Sequence, residues 1–345
     1  MDLAVLKIFS LAVAAFIVSI LLTPAWAGFL YRHKLGKSIR DAASAPIMAG
    51  LHAKKAGTPT MGGVLIWGPV ALVALVCAAL AALVPAWGGI NFLSRSGTWL
   101  PLFVLVASAL VGLVDDYWNI RKIGPAGGGL RMRHRLLLYS AIAAIGAWWF
   151  FWKLDWSVVH IPLDGTPDLG WLFIPFFIFV VIACSNAVNL TDGLDGLAGG
   201  ILATNFAAYG AIAFFEGKYD LAAFCAVIVG ALVAFLWFNV NPARFFMGDT
   251  GAMSLGITLA IVAFLANQVL LLPIIGFVFV IETAASLVQM ISKKFFKRKI
   301  FLSTPLHHHF EAKGWPEQKV VMRFWIIGAV AAVAGLVLAL LDKTI

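Results

Sequence analysis

Six carboxylates stand where an apolar chain accommodates charge least easily. Asp115, Asp116, Asp192, Asp195, Asp249 and Glu282 each sit at or near the end of an apolar segment. Acids in such positions are expensive near a bilayer and usually functional. Asp115 and Asp116 are neighbours. Successive helical residues point about 100° apart, so the two cannot face one ion equally: one holds or orients, the other acts as base. Asp192 and Asp195 lie three apart in the run NLTDGLDG, residues 189–196, a spacing that shares a helix face. Thr191 or Asp192 is a candidate N-cap, and a glycine-rich helix start favours phosphate. Asp249, in the run MGDTG at 247–251, is flanked by glycine and opens a helix, a place suited to a metal that bridges phosphates. Carboxylates converging from three loops need a cation, and oxygen-rich sites select Mg²⁺ or Mn²⁺.

Other residues fit the same chemistry. The run KKAGTPTMGG, residues 54–63, offers Lys54, Lys55, Thr58 and Thr60 with glycines that permit close backbone approach. Phe245 or Phe246, just before Asp249, has a face on which a base can stack. His307, His308 and His309 lack the spacing of a zinc site. Beside the basic cluster at 293–299 they read as hydrogen-bond donors to phosphate, with the cluster itself anchored at anionic lipid. Together these residues describe metal-dependent phosphoryl transfer at the inner membrane face, between a soluble anionic substrate and a lipid.

The elements that must position them are membrane helices. Of 345 residues, 62% are hydrophobic and 12% charged. Soluble domains carry about 25% charged residues, which excludes a soluble, disordered or fibrous chain. Ten apolar stretches of spanning character run near 3–30, 62–87, 99–115, 135–152, 171–188, 194–215, 220–239, 250–266, 269–292 and 320–341. The run from Gly248 to Ile291 must fold back, and Asn267-Gln268 is its polar break. The first stretch is too long for a signal peptide and its basic cluster follows it. Twenty of the 25 Lys and Arg fall in the loops after the odd-numbered spans. By the positive-inside rule those loops are cytoplasmic and both termini lie outside. The same rule accounts for the net charge of +9 without nucleic acid. Cys77, Cys184 and Cys225 are unclustered and lie in apolar runs, as small hydrophobes. The expectation is one all-α polytopic domain over residues 1–345, with its site on the cytoplasmic face.

The motifs, in order, resemble those of the phospho-N-acetylmuramoyl-pentapeptide-transferases, within the polyprenyl-phosphate N-acetylhexosamine-1-phosphate transferases. They are KKAGTPTMGG at 54–63, DDY at 115–117, NLTDGLDG at 189–196, MGDTG at 247–251 and PLHHHFE at 305–311. The resemblance runs over essentially the whole chain; its first and last motifs point to the muramoyl-pentapeptide branch. It implies a homodimer in the bacterial cytoplasmic membrane. It also implies transfer of phospho-N-acetylmuramoyl-pentapeptide from its UDP carrier to undecaprenyl phosphate, giving lipid I and UMP with Mg²⁺. By the same carry-over Asp249 binds Mg²⁺, and Asp115, Asp116 and Asp249 are catalytic, with His307, His308 and His309 near the phosphates; Asp116 is also expected as a metal ligand. Lys55, Thr60, Asn189, Asp192, Asp195, Asn239, Phe246 and Gln289 match the nucleotide-sugar site. The chain departs from the family at Asn119 and Arg135, where lysine is common, and in the glycine-rich stretch 125–129. Two other readings remain: the same chemistry on UDP-N-acetylglucosamine, and a secondary transporter of anions, which would place its acids at mid-span.

Overall fold

The computed structural model describes residues 2–36, 55, 57–94, 97–125 and 128–342. Lys54 of the first motif lies outside these, as do Lys37, Arg40, Arg95 and Lys343 of the charge count and Ala126 and Gly127 of the glycine-rich stretch.

Twelve helices carry the fold of the described residues: α1 (Asp2–Arg32), α2 (Val64–Leu83), α3 (Trp99–Ile120), α4 (Met132–Trp148), α5 (Phe173–Thr191), α6 (Leu197–Phe215), α7 (Tyr219–Asn239), α8 (Asp249–Leu265), α9 (Leu272–Ile275), α10 (Phe277–Ile291), α11 (Leu306–Ala312) and α12 (Glu317–Asp342). Within the same residues β-type pairing is limited to isolated bridges, such as Val158 with Asp168. Eight of the helices are long and apolar enough to cross a membrane. The protein is an all-α polytopic membrane protein. The second expected span stops early, at Leu83, because Pro85 follows and forces the residue before it into an extended conformation.

The two apolar stretches at 250–266 and 269–292 need more explanation. The chain turns back at Asn267, whose φ is +54°, as the polar break predicts. Lys218 Nζ caps the end of α8 by donating to the Leu265 carbonyl at 2.9 Å. α8 itself has 17 residues, a length of about 25 Å against a bilayer core of about 30 Å. It compensates by lying inside the bundle: every residue from Thr250 to Leu265 is buried. Small residues at four-residue intervals, Ala252, Gly256 and Ala260, let neighbouring helices approach closely. Gly256 meets the Ser185 backbone of α5 so closely that a Cβ there would lie 2.8 Å from Ser185 Cα.

The next stretch is a bent pair of helices. Residues Val269–Ile275 and Phe277–Phe296 meet at an angle of 79°, with Pro273 in the first turn of α9 and Gly276 at the joint. A break in an apolar setting frees backbone carbonyls that need a partner. The buried Asn205 amide serves Ile275 O at 2.9 Å in its hydrogen-bonding orientation.

The two ends of the bundle differ. At one end Lys7 binds Asn91 O at 2.7 Å and Asp220 at 3.4 Å, Lys218 lies over Trp156, and His160 pairs with Asp342. At the other end the last turns of α3 and α5 meet the first turns of α4, α8 and α12. The candidate residues lie there.

Candidate active site

The first turn of α8 is the centre of the site. Gly248 has φ +74°, a left-handed conformation that favours glycine, and it turns the chain so that Asp249 opens the helix. A Cβ on Gly248 would strike Asp116 Oδ2 and lie 2.6 Å from Thr60 Oγ1. Asp116, in the last turns of α3, accepts the Asp249 N–H at 3.2 Å and the Thr250 N–H at 3.1 Å. A carboxylate from one helix thus satisfies orphan donors of another and sits at the positive end of its dipole. This approach is possible because Gly112, one turn back on α3, lies against α8: a Cβ there would be 2.6 Å from the Asp249 carbonyl.

Asp115 faces elsewhere. Its Oδ1 accepts the Leu130 N–H at 2.5 Å. Gly128 and Gly129, with φ of +127° and +83°, bend the chain to deliver that N–H. This is the local reason for the glycine-rich stretch, since a Cβ on Gly129 would lie 2.9 Å from Asp115 Oδ1. Arg135 on α4 joins the two motifs: its Nη1 is 2.7 Å from Asp249 Oδ2 and 3.4 Å from Asp115 Oδ2. Asn189, at the end of α5, donates from Nδ2 to Asp249 Oδ1 at 2.8 Å. Asp115, Asp116, Asn189 and Asp249 therefore come together as the sequence predicts.

The loop after the first motif is paired to the loop before Asp249. The Gly62 and Gly63 N–H groups donate to Phe246 O and Met247 O at 2.8 Å each, and the Phe246 N–H donates to Pro59 O at 2.8 Å. Gly63 stands against Gly251 with no room for a Cβ between. Thr60 is buried, and its hydroxyl has no hydrogen-bond partner. The choice between the two phenylalanines is settled: Phe245 is fully buried and packs on Phe235 and Phe238, so only the partly exposed Phe246 has a face for a ligand.

The expected helix face shared by Asp192 and Asp195 does not form. Residues 192–196 are a turn between α5 and α6, because Gly196 at φ +79° breaks the helix. Thr191 and Asp192 end α5 instead of capping α6: Thr191 Oγ1 donates back to Ala187 O at 2.8 Å, and Asp192 is the C-cap residue. Asp195 points into a different network. Lys55 Nζ reaches Asp195 Oδ1 at 2.6 Å and Glu317 Oε1 at 2.5 Å. Asn241 Nδ2 donates to both Asp195 Oδ2 and Glu317 Oε2 at 2.9 Å. Asn239 is a scaffold: its Oδ1 accepts the Gly196 N–H at 3.0 Å and its Nδ2 donates to Phe245 O at 2.8 Å. Gly196 and Gly200 pack against Trp325 of α12, whose Nε1 donates to Gly196 O.

The three histidines occupy the seven-residue α11 and do different things. His307 is fully buried, and its N–H donates to Glu282 at 3.1 Å. Glu282 is not near a segment end, as expected, but mid-helix in α10 and fully buried. Its carboxyl faces the start of α11. His308 Nδ1 is 2.8 Å from Glu311 Oε2. His309 Nδ1 accepts the Leu302 N–H at 3.1 Å. A Cβ on Gly193 would meet His307 Nε2 and lie 3.2 Å from His308 Nε2, so the histidines border the 192–196 turn. Gln289 is committed to the backbone: its Nε2 donates to Phe301 O, and its Oε1 accepts the N–H groups of Ile300 and Phe301. It braces the approach to α11.

Comparison with known proteins gives this geometry a family. Residues 98–267 match the model of Glycosyl transferase family 4. Residues 55–66 match phospho-N-acetylmuramoyl-pentapeptide-transferase signature 1. The phospho-N-acetylmuramoyl-pentapeptide-transferase of Chloroflexus aggregans is 39% identical over 344 residues, covering 96% of this chain and 89% of the relative. That of Geobacillus kaustophilus is 41% identical over 327 residues, covering 93% and 94%. That of Listeria innocua is 40% identical over 324 residues, covering 92% and 94%. The chain belongs to the phospho-N-acetylmuramoyl-pentapeptide-transferase family. Like the rest of this transferase family, it is a glycosyl-1-phosphate transferase. The family signature holds Lys55 and Thr60 and ends in the first turn of α2. It therefore covers the stretch that pairs with the loop before Asp249.

Sequence reading missed Glu317 and Asn241, and it gave Arg135 no role. Glu317 and Asn241 carry no motif of their own. The signal for Glu317 was its place as the lone acid in the first turn of the last span, where a solvated helix start is the ordinary explanation.

Proposed function

We propose that this enzyme transfers phospho-N-acetylmuramoyl-pentapeptide from its UDP carrier to undecaprenyl phosphate, on the cytoplasmic face of the bacterial inner membrane, with Mg²⁺. An oxygen of the acceptor phosphate attacks the sugar-bearing phosphorus of the donor. The bond from that phosphorus to the bridging oxygen breaks, UMP leaves, and lipid I remains in the bilayer. As the family resemblance implies, the enzyme acts as a homodimer. The sequence distribution of Lys and Arg, twenty of 25 after the odd-numbered apolar stretches, supports the cytoplasmic assignment.

The observation that carries the reading is the convergence of Asp115 and Asp249 on one cationic nitrogen. That nitrogen, Arg135 Nη1, stands where two hard oxygen donors meet. The donor set suits Mg²⁺, which takes one or two carboxylates and completes its shell with water and substrate phosphates. Asp249 and Asp115 would hold it. Asp116, expected as a ligand, acts through the α8 amides that fix Asp249. When bound, Mg²⁺ neutralises charge on the diphosphate. Phe246 offers its ring to the base, and the half-buried His308, beside the 192–196 turn, offers a donor to phosphate. A phosphate monoester has its second pKa near 6. The acceptor is then largely dianionic at neutral pH, so Asp115 need only orient it or remove a residual proton. That favours direct attack over a phosphorylated enzyme.

The test is a lipid-product assay with UDP-N-acetylmuramoyl-pentapeptide and UDP-N-acetylglucosamine as alternative donors, with and without Mg²⁺. Product from the first donor alone, lost without metal and reduced by about two orders of magnitude or more in Asp249→Asn, supports the reading. Product from UDP-N-acetylglucosamine, or near-normal turnover by Asp249→Asn at ordinary Mg²⁺, overturns it.

A further inference from the structure

The facing oxygens of Asp115 and Asp249 are already served by a cation that belongs to the chain. Arg135 Nη1 lies 2.7 Å from Asp249 Oδ2 and 3.4 Å from Asp115 Oδ2. The opposite oxygen of each carboxylate is held from behind, by Asn189 Nδ2 on Asp249 and by the Leu130 N–H on Asp115. With their backs fixed, the two carboxylates can present only their front oxygens to a metal ion. Those are the oxygens that Arg135 occupies.

A guanidinium stays charged at any accessible pH. It cannot yield the position by losing a proton, so it must move or share. Only Nη1 makes the ion pairs; Nη2 has a 3.5 Å contact with Met132 Sδ, so the pairing with the carboxylates rests on one nitrogen. A small cavity lies beside it, lined by Leu136, Tyr139, Asn186 and Met253. The Tyr139 hydroxyl is buried there without a hydrogen-bond partner.

We propose that Arg135 is a built-in counter-cation that competes with the divalent ion for the front oxygens of Asp115 and Asp249. The site then takes up metal together with an anion that receives the displaced guanidinium, and binds metal alone poorly. A metal ion beside an unmoved guanidinium would place two cations within a few ångströms in a partly buried setting, where their repulsion is weakly screened. A diphosphate relieves this by taking the guanidinium bidentately. The ordering would keep the enzyme from holding a bare metal ion that could activate water in the absence of substrate.

This inference rests on the Mg²⁺ reading above, and the experiment separates the two. The full chain in detergent, without nucleotide, is titrated with Mn²⁺, and the free ion is counted by electron paramagnetic resonance. Thermal unfolding checks that each variant is folded. Arg135→Gln should bind Mn²⁺ about tenfold more tightly than wild type, Arg135→Lys should fall between, and Asp249→Asn should lose saturable binding. Equal or weaker binding by both Arg135 variants, with Asp249→Asn negative, overturns the counter-cation and leaves the metal assignment standing. Wild-type Mn²⁺ affinity in Asp249→Asn removes the metal from this site and the inference with it.

Discussion

Asp116 Oδ2 accepts the backbone N–H of Thr250 at 3.1 Å, and through that bond α3 sets the position of α8. Two adjacent carboxylates on α3 thus divide their work. Asp116 serves backbone at a helix start, while Asp115 faces Arg135 and the Leu130 N–H. The 100° step between successive helical residues is the whole cause of the division.

Removing the cap should therefore loosen the helix that carries Asp249. Asp116→Ala is expected to destabilise the protein by about 1–2 kcal/mol, and Asp116→Asn, which keeps one carbonyl acceptor, by less. Thermal unfolding in detergent measures both. A wild-type melting temperature in Asp116→Ala would show that α8 does not depend on this contact.

The glycine beneath that contact gives a steric counterpart. Gly112→Ala places a methyl 2.6 Å from the Asp249 carbonyl, and overpacking of this kind costs about 1–3 kcal/mol. Gly28 on α1 has nothing within 4 Å of its would-be Cβ, so Gly28→Ala should be neutral or slightly stabilising. Activity and melting temperature should fall together in the first variant and hold in the second. Equal behaviour of the two would refute the close crossing of α3 and α8.

Lys55 is the only cation that the structure places between Asp195 and Glu317 among the described residues. Lys55→Ala leaves two largely buried carboxylates, 140 and 262 residues from Lys55 in sequence, without their counter-charge. Breaking a buried pair in this way is expected to destabilise by about 3 kcal/mol. The double variant Lys55→Met with Glu317→Gln should recover part of the loss, since it removes charge from both sides. Denaturation of the single and double variants decides it; a double variant no better than Lys55→Ala would argue against the pairing.

The fold was legible because apolar length is a one-dimensional signal: stretches of about 20 apolar residues announce themselves, and Asn267-Gln268 marked the turn. The site was legible in part, wherever a motif supplied both partners of a contact, as with Asp249 and its glycines. It was not legible where the partner lay far off. Nothing near Asp195 in the chain points to Lys55 or Glu317, and its helical spacing from Asp192 suggested a shared face that Gly196 prevents. Gln289 and Asn239 were expected to line the nucleotide-sugar site, but an amide can serve a ligand or a backbone equally well, and the geometry shows that theirs serve backbone.

The histidines should prove unequal. His307→Ala opens a space in a fully buried place and should lower both stability and turnover. His309→Gln should change turnover little but alter the pH dependence of stability. Burial, with the charge of Lys313 adding to it, holds the His309 imidazole below its ordinary 6.5. The unfolded chain then binds a proton that the folded chain does not. Stability from this group is complete above 6.5 and is lost as pH falls from there towards the lower folded value. The drop in melting temperature between about pH 7.5 and about pH 5.5 should be smaller in His309→Gln than in wild type. An identical drop would mean that the group does not contribute.

The ion pair between Lys55 and Glu317 spans 262 residues, and this sets an order in time. A chain emerging from the ribosome completes the helices that carry Asp115, Asn189 and Asp249 well before residue 317 exists. Until then Lys55 lacks one of its two carboxylate partners, and the turn holding Asp195 lacks the carboxylate that accepts its N–H. The nascent enzyme therefore cannot finish the network around Lys55 and Asp195 early. The helix α12 arrives as the closing part, and a chain that stops short of it would carry Asp115 and Asp249 with the Lys55 network unfinished.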